Sequence, residues 1–287
     1  MSVKHSDLLE LIDLEQIAPT VFEGQPTRYR LPRVFGGQVA GMAMEAASQT
    51  LPEPWPAHSV QCQFLRPGSA DRPIRFAVER VRDGGSFASR NVDAYQGDVR
   101  LFSARMSYHR EEVDGFDHQL PVPSTTPPDD LHSAAELAHD RPDEWPQFYR
   151  EWEQLDIRIV PTGPASAPAS TTGLTAHSQV WMRAVEPLPT SRQNTHNALL
   201  ACIADLTFLS TSLLPHGLPP THPGVMIASL DHCVWFHRPF RVDEWLLYDQ
   251  VSPTAYGGLG LCRGAFYTAD GVHVASVLQE GLIRPVS

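Results

Sequence analysis

The chain has 287 residues, a formal net charge of −11 and four cysteines. This length suffices for one large or two ordinary domains with a sizeable core, and the acidic balance argues against a general nucleic-acid or anionic-membrane surface. The cysteines form neither a CxxC pair nor a zinc-like spacing with histidine, so we expect reduced thiols in a cytoplasmic protein without a bound metal.

The sequence shows no clear signal for secretion or membrane insertion. Lys4, Glu10 and Asp13 interrupt the apolar residues near the N-terminus, which is unlike a signal peptide. We find no apolar run that is both long enough and free enough of charge to span a bilayer. We therefore expect no membrane partner.

The first half predicts a buried helix followed by an antiparallel sheet. Ser6–Gln16 indicates a short amphipathic helix capped by Ser6, and Thr20–Tyr29 indicates a strand. Arg33–Thr50 is rich in alanine and methionine and carries only Glu45 as a charge after its paired glycines, which predicts a helix buried nearly all round. Four strand-like runs follow, with hairpin turns among them: Ser59–Leu65, Ile74–Asp83, Ser86–Gln96 and Val99–His109.

The middle of the chain interrupts this pattern before it starts again. Leu120–Asp130 is rich in proline and predicts a linker, Leu131–Trp152 favours a helix, and Pro161–Gly173 is typical of an exposed loop. From Ser178 onward the sequence predicts a strand, a buried helix and an antiparallel meander, in that order: Gln179–Ala184, Asn194–Leu214 and Val225–Arg284.

The two halves repeat each other, which decides the expected architecture. The matching positions include Phe64 with Phe236, Arg66 with Arg238, Pro67 with Pro239, Gly84 with Gly257, Gly85 with Gly258 and Arg90 with Arg263. The sequence therefore predicts an α+β protein in which one helix-plus-sheet unit occurs twice and packs as an internal dimer. The expected boundaries are an N-terminal unit at 1–119, a linker at 120–177 and a C-terminal unit at 178–287.

Three polar residues of the C-terminal unit stand in core-like runs. Asp205 interrupts the predicted helix, and Ser229 and Gln279 stand in strands that are otherwise apolar. Because burying a polar group is costly unless it is hydrogen-bonded, such residues are partners of one another or parts of a site. Projected onto the N-terminal unit, the three fall on apolar residues, namely Met42, Ala57 and Met106. This asymmetry predicts one active centre per chain.

Seven stretches of the sequence form a distinctive set: VFGGQVAG, HSVQCQFLRPG, RDGGSFASR, ADLTFL, LDHCVWFHRPF, EWLLY and VASVLQEGLIR. By their number and spacing they resemble the type II acyl-CoA thioesterases, which have a double hotdog fold. The resemblance covers Leu8–His118 and Ser178–Arg284. It implies hydrolysis of acyl-CoA to a free acid and CoA, no metal or organic cofactor, and a homodimer or higher homo-oligomer.

The resemblance also implies roles for the three polar residues. In the family, an Asp, a Thr or Ser, and a Gln of the C-terminal unit orient and activate a water, and they match Asp205, Ser229 and Gln279. Thioester hydrolysis needs a held water, a base for its proton and donors for the oxyanion. Apolar surroundings disfavour the charged form of Asp205 and make it a better base, whereas hydrogen bonds from the other two residues keep it ionised.

Five further residues are candidates with an ordinary structural alternative. Gly36 and Gly37 precede a helix and could offer backbone N–H groups to an oxyanion or phosphate, but close packing of the helix is the simpler interpretation. Arg66 recurs in both units, which favours a structural role over a contact with CoA. His58 and His232 flank strands, and we expect them to be hydrogen-bonded partners rather than catalysts.

Other functions fit the sequence less well. There is no GxSxG nucleophile elbow, P-loop or Rossmann fingerprint. A hotdog hydratase or dehydratase would need a different Asp/His arrangement, and a non-catalytic acyl-binding protein would bind the thioester without releasing the thiol.

Overall fold

The structure is a computed structural model that describes residues 8–27, 33–52, 54–112, 115–141, 147–161, 175–219 and 222–286. The N-terminal half begins with a short 3-10 helix, Leu8–Ile12. Its other elements, in chain order, are β1 (Glu15–Ala18), β2 (Val21–Gly24), α1 (Gly36–Ser48), β3 (Ala57–Phe64), β4 (Ile74–Asp83), β5 (Phe87–Gln96) and β6 (Val99–His109).

A connecting region leads to the C-terminal half. It holds α2 (Ala134–Asp140) and the 3-10 turns Pro128–Asp130 and Gln147–Glu151. The elements of the C-terminal half are β7 (Leu155–Val160), β8 (His177–Ala184), α3 (Gln193–Ala204), a 3-10 helix at Leu209–His216, β9 (Val225–Ser229), β10 (Asp231–Phe236), β11 (Leu246–Tyr256), β12 (Leu259–Thr268) and β13 (His273–Pro285).

All these strands join one antiparallel sheet that is symmetric about its middle. The order is β1-β2-β4-β5-β6-β3-β10-β13-β12-β11-β8-β7, and β9 pairs with β13 beside β10. The two halves meet where β3 pairs with β10, with Gln61 opposite Cys233. The predicted internal dimer of two helix-plus-sheet units is therefore confirmed.

The two long helices pack against each other inside the curved sheet. Every residue of α1 from Gly37 to Ser48 is buried, and so is every residue of α3 from Asn194 onward. Glycines allow this contact, because a Cβ added at Gly37 would lie 2.2 Å from the backbone oxygen of Cys202. The alanine- and methionine-rich composition thus gives a helix that is covered on all sides, as predicted.

Several predicted element boundaries differ from the structure. In the described part of Ser6–Gln16, Leu8–Ile12 form a 3-10 helix, and β1 begins at Glu15. An isolated helix this short is marginal, whereas a strand gains a partner in β2. The predicted cap Ser6, and residues 162–173 of the predicted loop, lie outside the described residues. Within Leu131–Trp152, α2 is the only described α-helix.

The predicted helix Asn194–Leu214 is interrupted. Helix α3 ends at Ala204, and a turn leads into the 3-10 helix Leu209–His216. Taken as one helical stretch, Gln193–His216 is long and apolar enough to cross a membrane by length and composition, so the expectation that no run qualifies is wrong. However, 72% of the apolar 18-residue window in this stretch is buried inside the fold. Core helices, which are mostly buried, pass the same test of length and composition.

The proline-rich segment is held against the C-terminal half of the sheet. The Gln179 amide donates to the backbone oxygen of Ser124, and the Trp181 indole N–H donates to that of Thr126. Strand β7, which the sequence did not predict, lies between this segment and β8 in the chain and pairs with β8. The C-terminal half of the sheet therefore starts at Leu155.

Candidate active site

Three elements of the C-terminal half converge on one point. Asp205 is the residue that caps the C-terminus of α3. Ser229 is the last residue of β9 and lies opposite Gly281 of β13. Gln279 lies two residues earlier on β13, and its side chain is fully buried. The pairing of β9 with β13 therefore brings the hydroxyl and the amide together below the end of α3.

The three polar side chains form a closed triangle of hydrogen bonds. The Ser229 hydroxyl donates to Asp205 Oδ1 at 2.8 Å. Gln279 Nε2 lies 2.8 Å from the same Oδ1 and 2.8 Å from Ser229 Oγ. Two donors therefore converge on one oxygen of the carboxylate. The sequence thus identified three residues that do meet, although they are far apart in the chain.

The second carboxylate oxygen faces the start of α1. Within the described chain, no hydrogen bond to Asp205 Oδ2 occurs, and a Cβ added at Gly36 would lie 3.1 Å from it. Helix α1 has no side-chain cap at Phe35, and its first intrahelical bond is donated by Val39. The backbone N–H groups of Gly36 and Gly37 are therefore without an intrahelical acceptor, as the first turn of any helix requires. Asp205 Oδ2 thus lies beside Gly36 at the first turn of α1.

Gly36 and Gly37 have different neighbours in the structure. Gly37 packs against α3 so closely that any side chain would collide with Cys202 O. Gly36 instead faces Asp205 and the Phe64 ring, which a Cβ would approach to 2.9 Å. Close packing accounts for both glycines, against α3 at Gly37 and against Phe64 and Asp205 at Gly36.

His232 forms a hydrogen bond with a residue of the triangle, a partner that the sequence did not specify. Its Nδ1 lies 2.8 Å from Gln279 Oε1. The ring is fully buried, and its Nε2 has no hydrogen-bond partner in the described residues. A signal existed in the sequence, because a histidine at an inward-facing position of an alternating strand must find a partner.

The other two candidates form bonds outside the triangle. His58 Nε2 lies 2.8 Å from Ser107 Oγ, and the Arg66 guanidinium donates to the backbone oxygen of Arg100 at 3.1 Å. The structure does not bring either into hydrogen-bond contact with Asp205. These contacts agree with the structural alternatives named for both residues.

The corresponding place in the N-terminal half is built differently. Ala57 lies opposite Tyr108 as Ser229 lies opposite Gly281, so the projection of Ser229 onto Ala57 is confirmed. The projection of Asp205 onto Met42 depends on aligning Leu51-Pro52 with Leu214-Pro215. Counted from the first residue of each helix instead, Asp205 falls on Ser48.

With Ser48 as the counterpart of Asp205, the N-terminal half still has no second polar triangle. Ser48 Oγ donates to Met44 O and lies 3.3 Å from the Tyr108 hydroxyl, and Tyr108 is fully buried. The three counterparts, Ser48, Ala57 and Met106, include no carboxylate and no amide. The asymmetry between the halves is therefore the same with either Met42 or Ser48 as the counterpart of Asp205.

All four cysteines are free. Burial raises the pKa of Cys262 to about 11 and raises the pKa of Cys62 and Cys202 as well, which keeps these thiols protonated and poorly nucleophilic at neutral pH. Over the described ranges, no group of three His, Cys, Asp or Glu side chains is placed to hold a metal ion.

Comparisons with known proteins agree with this architecture. A sequence profile described as acyl-CoA thioesterase matches residues 163–282, and one described as the acyl-CoA thioesterase N-terminal domain matches 26–109. Acyl-CoA thioesterase 2 from Haemophilus influenzae is 32% identical over 283 residues, covering 97% of both chains. The crystal structure of the acyl-CoA thioesterase II TesB2 from Mycobacterium marinum is 39% identical, with a TM-score of 0.82 over 98% of this chain and 99% of that chain.

A more distant structure shows the fold alone. The conserved hot dog fold protein of Alicyclobacillus acidocaldarius has a TM-score of 0.79 at 18% identity, over 99% of this chain and 100% of that chain. Two tandem units around paired helices, with a polar triangle in the C-terminal unit, define a double hotdog protein. This chain belongs to the acyl-CoA thioesterase family, as the sequence resemblance implied.

Proposed function

We propose that Asp205, Ser229 and Gln279 activate a water molecule for the hydrolysis of acyl-CoA thioesters. Membership of the acyl-CoA thioesterase family supports the substrate class and the reaction. The observation that carries the assignment of residues is the triangle, in which both partners bind Oδ1 of Asp205 and leave Oδ2 free. An Asp that served only to cap its helix would not need two side-chain donors from separate strands.

The reaction follows from these positions. A water bound to Asp205 Oδ2 gives its proton to that oxygen as its own oxygen attacks the thioester carbonyl carbon. The amides at the start of α1, those of Gly36 and Gly37, are the donors available for the oxyanion. Collapse of the tetrahedral intermediate breaks the C–S bond, and the proton passes to the CoA sulfur. The products are a carboxylic acid and free CoA.

A positioned carboxylate also explains the uses of its two partners. Ser229 and Gln279 hold the carboxylate in one orientation, so its free oxygen points at one place. Gln279 is the stronger constraint, because it is fully buried and bonded at both ends of its amide. Ser229 is half-buried and contributes a single rotatable hydroxyl.

We further propose that the active form is a homodimer or a higher homo-oligomer that works on fatty acyl-CoA in the cytoplasm. Four free cysteines support a reducing compartment. The sheet ends in two edge strands, β1 and β7, and exposed edges favour association or covering.

The test is release of free thiol from a panel of acyl-CoA esters of different chain length. We expect wild-type protein to release CoA and an equal amount of free acid, with no loss of rate after dialysis against a chelator. A non-catalytic acyl-binding protein would bind the esters without releasing thiol. A hotdog hydratase or dehydratase would change the absorbance of an enoyl-CoA while its thioester stays intact. Either result would overturn the proposal.

A further inference from the structure

The amide of Gln279 has two possible orientations, and only one suits the triangle. In the orientation of the structure, Nε2 faces Asp205 Oδ1 and Ser229 Oγ, while Oε1 faces His232 Nδ1. Turned over, the amide would place its oxygen against the carboxylate oxygen, which is repulsive, and its NH2 against the imidazole. The side chain that lies against Oε1 therefore takes part in deciding where the donors of Gln279 point.

The surroundings of His232 select the hydrogen position on its ring. A neutral imidazole carries one N–H and one bare nitrogen. Nε2 is buried and has no partner in the described part of the chain, so a hydrogen there would leave an unpaired donor in the core, which is costly. The hydrogen on Nδ1 instead donates to Gln279 Oε1 at 2.8 Å. This tautomer is compatible only with the orientation of the amide that serves Asp205.

The fold itself does not need this pair. Val60 of β3 is the repeat counterpart of His232, and it lies opposite Met106, the counterpart of Gln279. Both are fully buried. The same sheet geometry is therefore filled by an apolar pair in the N-terminal half, where Asp205 has no carboxylate equivalent. Polar residues at these two positions occur in the half that holds the carboxylate.

We propose that His232 is a positioning residue for the hydrolysis: through Nδ1–H it fixes the amide of Gln279, and through Gln279 it fixes the carboxylate of Asp205. This inference rests on the proposed function only for its kinetic consequences. The chain of donors runs in one direction, from imidazole to amide to carboxylate, and successive hydrogen bonds of this kind strengthen one another. His232 itself is fully buried.

The kinetic test uses two matched variants. His232→Val installs the residue of the N-terminal counterpart and removes the donor. His232→Asn keeps an N–H donor at about the place of Nδ1. We expect His232→Val to lower kcat about tenfold to a hundredfold, as is typical when a residue that orients a functional group is lost, with little change in KM. His232→Asn should retain most of the wild-type kcat. Wild-type kcat in a folded His232→Val protein would overturn the proposal.

A double-mutant cycle separates action through Gln279 from a general structural effect. Gln279→Met installs the counterpart residue Met106, and the double variant His232→Val with Gln279→Met reproduces the apolar pair of the N-terminal half. We expect the histidine substitution to have no further effect on kcat once Gln279 is replaced. An equal loss with and without Gln279 would show that His232 does not act through the amide, and would overturn the proposal.

A measurement without substrate keeps this inference separate from the proposed function. In protein labelled with 15N-histidine, the ring nitrogen shifts report which nitrogen carries the hydrogen, and the His232→Asn spectrum assigns the signal. We expect the Nδ1–H tautomer for His232 in the free protein. The Nε2–H tautomer would refute the inference even if the enzyme is active. Absence of thioester hydrolysis with the Nδ1–H tautomer present would refute the function and leave the geometry standing.

Discussion

Asp205 holds the one carboxylate of the triangle, and its two oxygens have different surroundings. Oδ1 accepts from Ser229 and lies 2.8 Å from Gln279 Nε2. Oδ2 faces Gly36 at the first turn of α1. This difference between the two oxygens is the basis of our proposal that Asp205 acts as a base and not merely as a helix cap, and a single substitution can test it.

Asp205→Asn should remove most activity and keep the fold. The amide oxygen can still accept the two hydrogen bonds, but an NH2 group replaces the oxygen that would take the proton of water. Because a positioned base contributes about 10²–10⁴-fold, we expect kcat to fall by that factor with an unchanged circular dichroism spectrum. Turnover close to wild type in the folded variant would show that another group is the base.

Gln279 and Ser229 should differ in how much they matter. Gln279 bonds three side chains and Ser229 bonds two, and a water can replace a lost hydroxyl more easily than a buried amide. Gln279→Ala should therefore lower kcat more than Ser229→Ala, and by about 10²–10³-fold if its donor acts in the transition state. Ser229→Thr should be tolerated, since it keeps the hydroxyl. A greater loss in Ser229→Ala would point to a serine-centred mechanism instead.

At the scale of elements, the contact between α1 and α3 positions the site. It brings the start of α1 to the end of α3, and so Gly36 to Asp205. The contact depends on missing side chains, because Cβ atoms at Gly37 and Gly41 would lie 2.2 Å and 2.9 Å from backbone oxygens of α3. The backbones of the two helices therefore approach each other closely, and this contact sets the position of Gly36 relative to Asp205.

Gly37→Ala should destabilise the protein although alanine is the better helix former. Helix propensity favours the change by about 1 kcal/mol, but the new methyl group collides with Cys202 O, and overpacking of this kind typically costs about 1–3 kcal/mol. We expect a lower free energy of unfolding in urea titrations. The control is Gly85→Ala, where nothing lies within 4 Å of the added Cβ. Equal stability of the two variants would contradict the packing argument.

At the scale of the molecule, the sheet is continuous across both halves but open at its ends. Strand β1 is short and exposed along its whole length, and β7 ends the opposite side. Near the middle of the sheet, Leu278 of β13 is 38% exposed. These features are the ones by which sheets of separate chains associate or are covered.

We expect light scattering at micromolar concentration to give a mass of at least twice the 31.8 kDa of one chain. The physical reason is that pairing or covering an open edge satisfies its backbone groups and buries apolar surface. A mass of one chain, unchanged up to the highest soluble concentration, would contradict this expectation.

The sequence by itself determined most strands of the two meanders, the buried helix α1, the repeat and the kinds of residue in the candidate site. Strands such as Ile74–Asp83 and Val99–His109 were predicted with their bounds, because alternation and turn residues are local properties of the chain. The buried helix α1 followed from composition for the same reason. Asp205, Ser229 and Gln279 stood out because polar residues in apolar runs need partners wherever the chain folds.

Only the tertiary structure decided which groups meet and how. The break of α3 at Asp205 and the bond between His232 and Gln279 depend on loop lengths and strand register. Strand β1 forms because β2 is there to pair with it. Such facts are fixed by the packing of distant segments, since a register shift of one residue turns every side chain of a strand to the other face.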